Sequence, residues 1–205
     1  MEKLTEKFTK LYVKDINKVI KIQRRYKIYL SNKNILSLNN WKKEYINIIK
    51  NYKESQYDFY KRNNASFEVL DVVSMESKRF GSISEKLVSN IFKLEPRTSS
   101  ENDGMRKGKK IEIKCARYWA GKDECRWQHL EFEYDYECVL FGLLDFDGTW
   151  KIWAINKSML MGELREKNIV TYQGKQGYWC KKSQVIEFCH EIKSIKSLDK
   201  FLETI

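Results

Sequence analysis

The sequence predicts a mixed α/β fold, in the α+β sense of a restriction-endonuclease-like mixed sheet flanked by helices, preceded by a helical segment. Two observations carry this. Residues 1–75 contain neither glycine nor proline and place apolar side chains at three- and four-residue spacing. All nine glycines and the single proline lie from Gly81 onward, where strand-like alternation begins. A chain of 205 residues accommodates one sizeable domain with an appendage. The expected division is a basic helical segment over 1–75 and a mixed domain over 76–205.

Taken in order, Leu4, Phe8, Leu11, Tyr12, Ile16, Val19, Ile20, Gln23, Tyr26 and Leu30 fall largely on one helical face. Trp41, Tyr45, Ile48, Ile49 and Tyr52 repeat the stripe after Ser37, and Ser31-Asn32-Lys33-Asn34 supplies the turn between the two. Two or three helices are therefore expected before residue 75. Ser82-Ile83-Ser84-Glu85 opens a further helix in this reading, with Ile83, Leu87, Val88, Ile91 and Phe92 on its buried side and Pro96 just past its end. Residues 110–117 alternate as a strand, and 136–146 with 149–155 form a hairpin about Asp147-Gly148. A short helix after Asn156, a hairpin-like piece around Gly174 and Gly177, and a helix near 197–205 complete the chain.

Lys and Arg number 39 against 28 Asp and Glu, a net charge of +11, which favours a polyanionic partner such as nucleic acid. The excess is concentrated at the N-terminus: 16 basic and 8 acidic residues lie in 1–75, against 23 and 20 in 76–205. The longest apolar run, Cys138 to Leu144, is far below the roughly 20 residues that cross a bilayer. Met1-Glu2-Lys3-Leu4-Thr5-Glu6-Lys7 lacks the apolar stretch of a secretory signal, so a cytoplasmic protein without membrane attachment is expected. The five cysteines are odd in number and unclustered, as reduced thiols would be. Zinc, nucleotide-driven and hydride chemistry find no motif here: there is no Cys-x-x-Cys, glycine-rich phosphate loop, Gly-x-Ser-x-Gly or dinucleotide fingerprint.

The sharpest local feature is Ser99-Ser100-Glu101-Asn102-Asp103-Gly104 followed by Lys109-Lys110-Ile111-Glu112-Ile113-Lys114-Cys115. Strand alternation sends Glu112 and Lys114 out on one face while Ile111, Ile113 and Cys115 face the core. Gly104 and Gly108 permit a tight return that brings Asp103 next to Glu112. Two carboxylates at close range repel unless a cation sits between them, and oxygen ligands of this kind suit Mg²⁺. Lys114 then lies where an ammonium can polarise a water or offset charge on a phosphate.

Beyond this strand, Arg117, Trp119 and Lys122, then Arg126, Trp127, Gln128 and His129, interleave cations with planar rings. With Arg97 and Arg106 ahead of the strand, the cations form a candidate DNA-contact set: Arg97, Arg106, Arg117, Lys122 and Arg126. Trp119 and Trp127 read equally as core packing. His129 reads better as a surface or core imidazole than as a catalytic base. Glu85 has two readings open to it, an acidic member of the site or the acid of a capping box with Ser82.

Over roughly Gly81 to Ile155 these residues resemble the PD-(D/E)XK nucleases, the superfamily that includes many type II restriction endonucleases. The order of elements is similar: a helix, Asp103 at the end of a first strand, Glu112-x-Lys114 on a second, then further strands and a helix. Asn102 stands where the motif has proline. The resemblance implies Mg²⁺-dependent phosphodiester hydrolysis in double-stranded DNA, with Asp103 and Glu112 as metal ligands and Lys114 as the third catalytic residue. It further implies that Glu85 joins from the preceding helix and that Gln128 positions water or phosphate. Cutting both strands takes two sites, so a homodimer on a two-fold symmetric target is expected, residues 1–75 embracing the duplex or forming the dimer contact. Two alternatives stay open: a structure-specific or mismatch repair nuclease of the same superfamily, and a nucleic-acid-binding protein in which Asp103, Glu112 and Lys114 are incidental surface charges.

Overall fold

The computed structural model describes residues 16, 18–30 and 54–205, and the chain divides into two compact units, Met1–Lys53 and Glu54–Ile205. In the first unit residues 18–30 are helical, as their apolar spacing predicts. The expected helix after Ser37 and the turn at 31–34 lie outside the described residues.

The second unit is mixed α/β. It opens with helices α1 (Gln56–Arg62) and α2 (Phe67–Val73), whose N-caps Ser55 and Ser66 accept from the amides of Asp58 and Val69. Composition groups these helices with the basic N-terminal segment, but their apolar faces belong to the second unit: Phe59, Tyr60, Val69, Leu70 and Val73 are buried with the strands. The Tyr60 hydroxyl donates to the Leu144 carbonyl at 2.6 Å and accepts the Tyr118 amide at 3.1 Å, which ties α1 to the sheet.

Helix α3 (Ser77–Ile91) begins five residues before the expected start at Ser82. Phe80, Ser84, Val88 and the following Phe92 are buried, while Ile83, Leu87 and Ile91 are exposed. The i, i+4 row from Phe80, and not the more hydrophobic row from Ile83, meets the sheet. Phe80 stacks on Trp150 with ring centroids 6.0 Å apart, and the Arg117 guanidinium donates to the carbonyls of Val73 and Met75 just ahead of the helix. These contacts orient the first turn. Ser82 thus lies inside the helix, the capping-box reading falls, and Glu85 is free for another role.

Two sheets follow. Strands β1 (Gly104–Arg106), β2 (Lys109–Arg117), β4 (Cys138–Leu144), β5 (Trp150–Asn156) and β8 (His190–Glu191) form a mixed sheet in the order β1-β2-β4-β5-β8, with β2 and β4 parallel and the other neighbours antiparallel. Strands β3 (Arg126–Leu130), β7 (Tyr178–Lys181) and β6 (Val170–Tyr172) form a small antiparallel sheet. The expected hairpin about Asp147-Gly148 joins β4 to β5, and Asn156 caps α4 (Lys157–Met161). Short α5 (Glu163–Glu166) and α6 (Lys182–Val185) flank the small sheet in sequence, a 3-10 turn at Gly174–Gln176 joins β6 to β7, and α7 (Ile195–Leu202) ends the chain.

Every residue of β4 is buried, because the larger sheet is covered on both faces. Val139, Phe141 and Leu143 pack with α1, α2 and the small sheet; Cys138 and Leu140 pack with Val88, Phe92 and α7. Trp127 pins the two sheets together, its ring stacked 4.5 Å from Phe141 and its indole N–H donating to the Gly142 carbonyl at 2.9 Å. Trp127 is therefore a core residue.

Candidate active site

The site begins as a fork in the sheet. Lys107 and Gly108, with φ of 50° and 74°, make the two-residue hairpin that returns β1 onto β2, a turn that needs positive φ at both positions. Pairing ends at Asp103, whose amide donates to the Ile111 carbonyl at 2.9 Å. Its carboxylate then takes the place of the departed strand and accepts the Ile113 amide at 2.7 Å. Asn102 is buried and its side-chain amide donates to the hydroxyls of Thr98 and Ser99, holding the loop that carries Asp103. Asn102 is thus a structural anchor of this loop.

Ile113 separates Glu112 from Lys114, and these two form an ion pair on one face of β2. The expectation that they emerge into solvent needs correction: their side chains are only 7% and 17% exposed, because this face of the sheet is covered as well. Burial, with the charges of Asp103 and Glu85 adding to it, pushes the Glu112 carboxyl up to about 7 against the opposing pull of Lys114. Burial by itself would depress the Lys114 ammonium, but the carboxylates of Glu112, Asp103 and Glu85 outweigh it and hold the group above its ordinary value. Glu85, on α3, is raised chiefly by burial and then by Asp103. Asp103, Glu112, Lys114 and Glu85 are therefore close enough for their charges to act on one another, as the sequence leads one to expect.

Three carboxylates against one ammonium leave an excess of negative charge, and the donors are all oxygen, which suits a hard divalent cation. Among the described residues no three His, Cys, Asp or Glu side chains are gathered to hold a metal ion by themselves. The set fits Mg²⁺ only in its usual manner, through one or two carboxylates with water and phosphate completing the shell.

Beside this group opens a cleft of about 800 Å³. Glu85 and Lys114 line it, together with Phe80 and Ser82 of α3, Arg117 of β2, and Arg126, Gln128 and His129 of β3. Gln128 thus shares the cleft with Lys114 and Glu85, whereas Asp103 and Glu112 are not among its lining residues. His129 sits in the left-handed region at φ 60°, where β3 departs from regular pairing with β7, and it is exposed in the cleft.

The expected DNA-contact residues separate into three groups. Arg117 and Arg126 line the cleft, whereas Arg97 and Lys122 are exposed away from it. Arg106 is committed to the fold: it pairs with Asp199 through two nitrogens and donates to the Phe92 carbonyl at 3.2 Å, joining β1 to α7 and the end of α3. Arg117 lines the cleft but spends its donors on Val73, Met75 and Ser77. Sequence reasoning missed Trp179 and Lys181, which reach the same region from β7. The signal was the alternation in Tyr178-Trp179-Cys180-Lys181, whose buried member is Cys180.

The five cysteines are all unpaired, and among the described residues no helix is long and apolar enough to cross a membrane. Comparison with protein-family models, curated proteins and solved structures finds no match to this chain.

Proposed function

We propose that the protein is a Mg²⁺-dependent endonuclease that hydrolyses phosphodiester bonds in duplex DNA, in the manner of a type II restriction enzyme. The observation that carries this reading is the Glu112–Lys114 pair, 7% and 17% exposed, facing two further carboxylates. A buried charge cluster of this kind is costly to a fold, and groups with strongly displaced pKa values gather at sites of chemistry. Incidental surface charges, as in the non-catalytic alternative, would be solvated.

Asp103 and Glu112 are the residues that would hold Mg²⁺, which when bound supplies positive charge against phosphate oxygens and lowers the pKa of water. Lys114 sets its ammonium where negative charge grows on the phosphate and orients the attacking water by hydrogen bonding. Glu85 joins the group from α3 as a further carboxyl beside Asp103, and Gln128 donates from its side-chain amide to water or phosphate in the cleft. Cutting both strands takes two such sites, so the reading includes a homodimer on a two-fold symmetric sequence. Free thiols fit a reducing compartment, and the proposed location is the cytoplasm.

The test is incubation of supercoiled plasmid with Mg²⁺ and the wild type, Lys114→Ala or Asp103→Ala, followed by sequencing of the ends. Linear product with defined ends from the wild type alone supports the reading. Cleavage only of mismatched or branched DNA assigns the repair alternative, and retention of intact duplex without cutting assigns the binder.

A further inference from the structure

The small sheet presents to the cleft a face that carries Arg126 beside Gln128. Along β3 the side chains alternate, so Trp127 enters the core while Arg126 and Gln128 line the cleft. Strand β7 pairs Trp127 with Cys180 and Arg126 with Lys181, which turns Trp179 and Lys181 to the side of Arg126. The Arg126 guanidinium carbon lies 3.8 Å from the centroid of the Trp179 ring and 4.3 Å from that of Trp119. A planar cation held against two indoles is restricted to few orientations, so its fork of donors is preset.

Arg126 differs from the other arginines around it in what it binds. Arg62 and Arg106 pair with Glu54 and Asp199, and Arg117 donates to backbone carbonyls. Among the described residues nothing accepts a hydrogen bond from Arg126, no carboxylate pairs with Arg126 or Lys181, and the Arg126 Nε is buried without a partner. A buried or half-buried cation without a counter-charge is unfavourable unless a ligand completes it. Glu85 lines the same cleft, and the charges of Asp103 and Glu112 act within its group, so an anionic substrate entering there needs positive charge from elsewhere in the lining.

We infer that Arg126, oriented by Trp119 and Trp179, is the fixed receptor for one backbone phosphate of the DNA strand whose neighbouring phosphodiester lies at Glu112 and Lys114. This rests on the endonuclease reading. Arg126 is then a substrate-positioning residue whose contact carries no base information.

The experiment measures binding of a 20-base-pair duplex in EDTA over a range of salt concentrations, so that cutting does not intervene, for wild type, Arg126→Met and Arg126→Lys. Methionine fills the space between the indoles without charge. Arg126→Met should bind about tenfold more weakly whatever the duplex sequence, and its slope of log K against log salt should be shallower by about 0.9, one phosphate contact. Arg126→Lys should keep the wild-type slope at reduced affinity, since it restores charge but not the planar fork. With Mg²⁺, Arg126→Met should raise KM more than it lowers kcat. Wild-type affinity and slope in a folded Arg126→Met overturn the inference and make the residue a structural stack. Should that variant not fold, wild-type affinity in Arg126→Lys does the same, as does failure of the wild type to bind duplex. A shallower slope in a protein that never cuts DNA sustains the phosphate receptor while removing the endonuclease reading.

Discussion

The carboxylate of Asp103 accepts the amide of Ile113, the residue between Glu112 and Lys114. One hydrogen bond therefore sets the position of the first acidic group relative to the other two charged side chains, at the point where β1 leaves β2. Its strength separates the structural from the chemical duty of Asp103.

Asp103→Asn keeps an oxygen for the Ile113 amide and removes the charge. It should melt within about 1 °C of wild type and lose cleavage by about 10²-fold or more in plasmid nicking assays. Asp103→Ala should lose activity similarly and be less stable by about 1–2 kcal/mol in urea titration, because a partly buried amide is left without its acceptor. Equal stability of the two variants would contradict the role given to this hydrogen bond.

Burial holds the Glu112 carboxyl up at about 7 in the metal-free fold, above its value in the unfolded chain. Between the two values the folded state binds more protons, so its contribution to stability is full below the unfolded pKa and is lost as pH rises through about 7. In EDTA, wild-type stability should decline over that window more steeply than that of Glu112→Gln. Added Mg²⁺, which favours the ionised carboxylate, should flatten the wild-type decline. Parallel pH profiles of Tm for the two proteins would be the contrary result.

Ser82 lies inside α3 and is exposed. Ser82→Ala should leave the unfolding free energy unchanged or raise it by up to about 0.5 kcal/mol, through helix propensity, where loss of an N-cap would lower it by about 1 kcal/mol. Glu85→Gln in the same helix should reduce cleavage without reducing stability.

Arg106 joins β1 to α7 through Asp199, with side chains 19% and 23% exposed. Arg106→Ala should lower stability by about 1 kcal/mol, with some of the attraction lost to solvent screening. It should leave the salt slope of duplex binding at the wild-type value, in contrast to Arg126→Met.

Gly142 pairs with Cys115 across β2 and β4, and a Cβ at this glycine would meet the Cys115 sulfur at 2.8 Å. Gly142→Ala should cost about 1–3 kcal/mol from overpacking. Cys115→Ala in the same chain should recover part of the loss, a coupling that a double-mutant cycle in urea measures.

Local chemistry made much of this molecule readable in advance. The strand over 110–117, the Asp147-Gly148 hairpin and the short helix after Asn156 depend on a few residues each and appear where their sequence signals lie. The return expected through Gly104 and Gly108 turns on Lys107 and Gly108, with Gly104 paired inside β1, and burial along β2 does not alternate because Glu112 is buried between Ile111 and Ile113. The approach of Asp103 to Glu112 and Lys114 was legible because glycine between them permits a tight return, although the residues that make the turn are Lys107 and Gly108.

Tertiary packing decided the rest. The register of α3 followed Phe80 and Ser84 against the sheet and left the more hydrophobic Ile83 row outside, which freed Glu85 from a capping role. Composition placed 54–75 with the basic N-terminal segment, whereas Phe59, Tyr60 and Leu70 joined the strand core because burying them there removes more apolar surface from water. The seclusion of Glu112 required a second layer over β2, and the Arg126 cradle required β3 and β7, distant in sequence, to pair Arg126 with Lys181. Turn and strand positions, and the nearness of Asp103 to Glu112 and Lys114, could be read from the residues alone, since those forces are local. Which face of α3 is buried, how far the triad is withdrawn from water and the burial of the Arg126 Nε without a hydrogen-bond partner among the described residues came from packing, because each depends on surfaces contributed by distant segments.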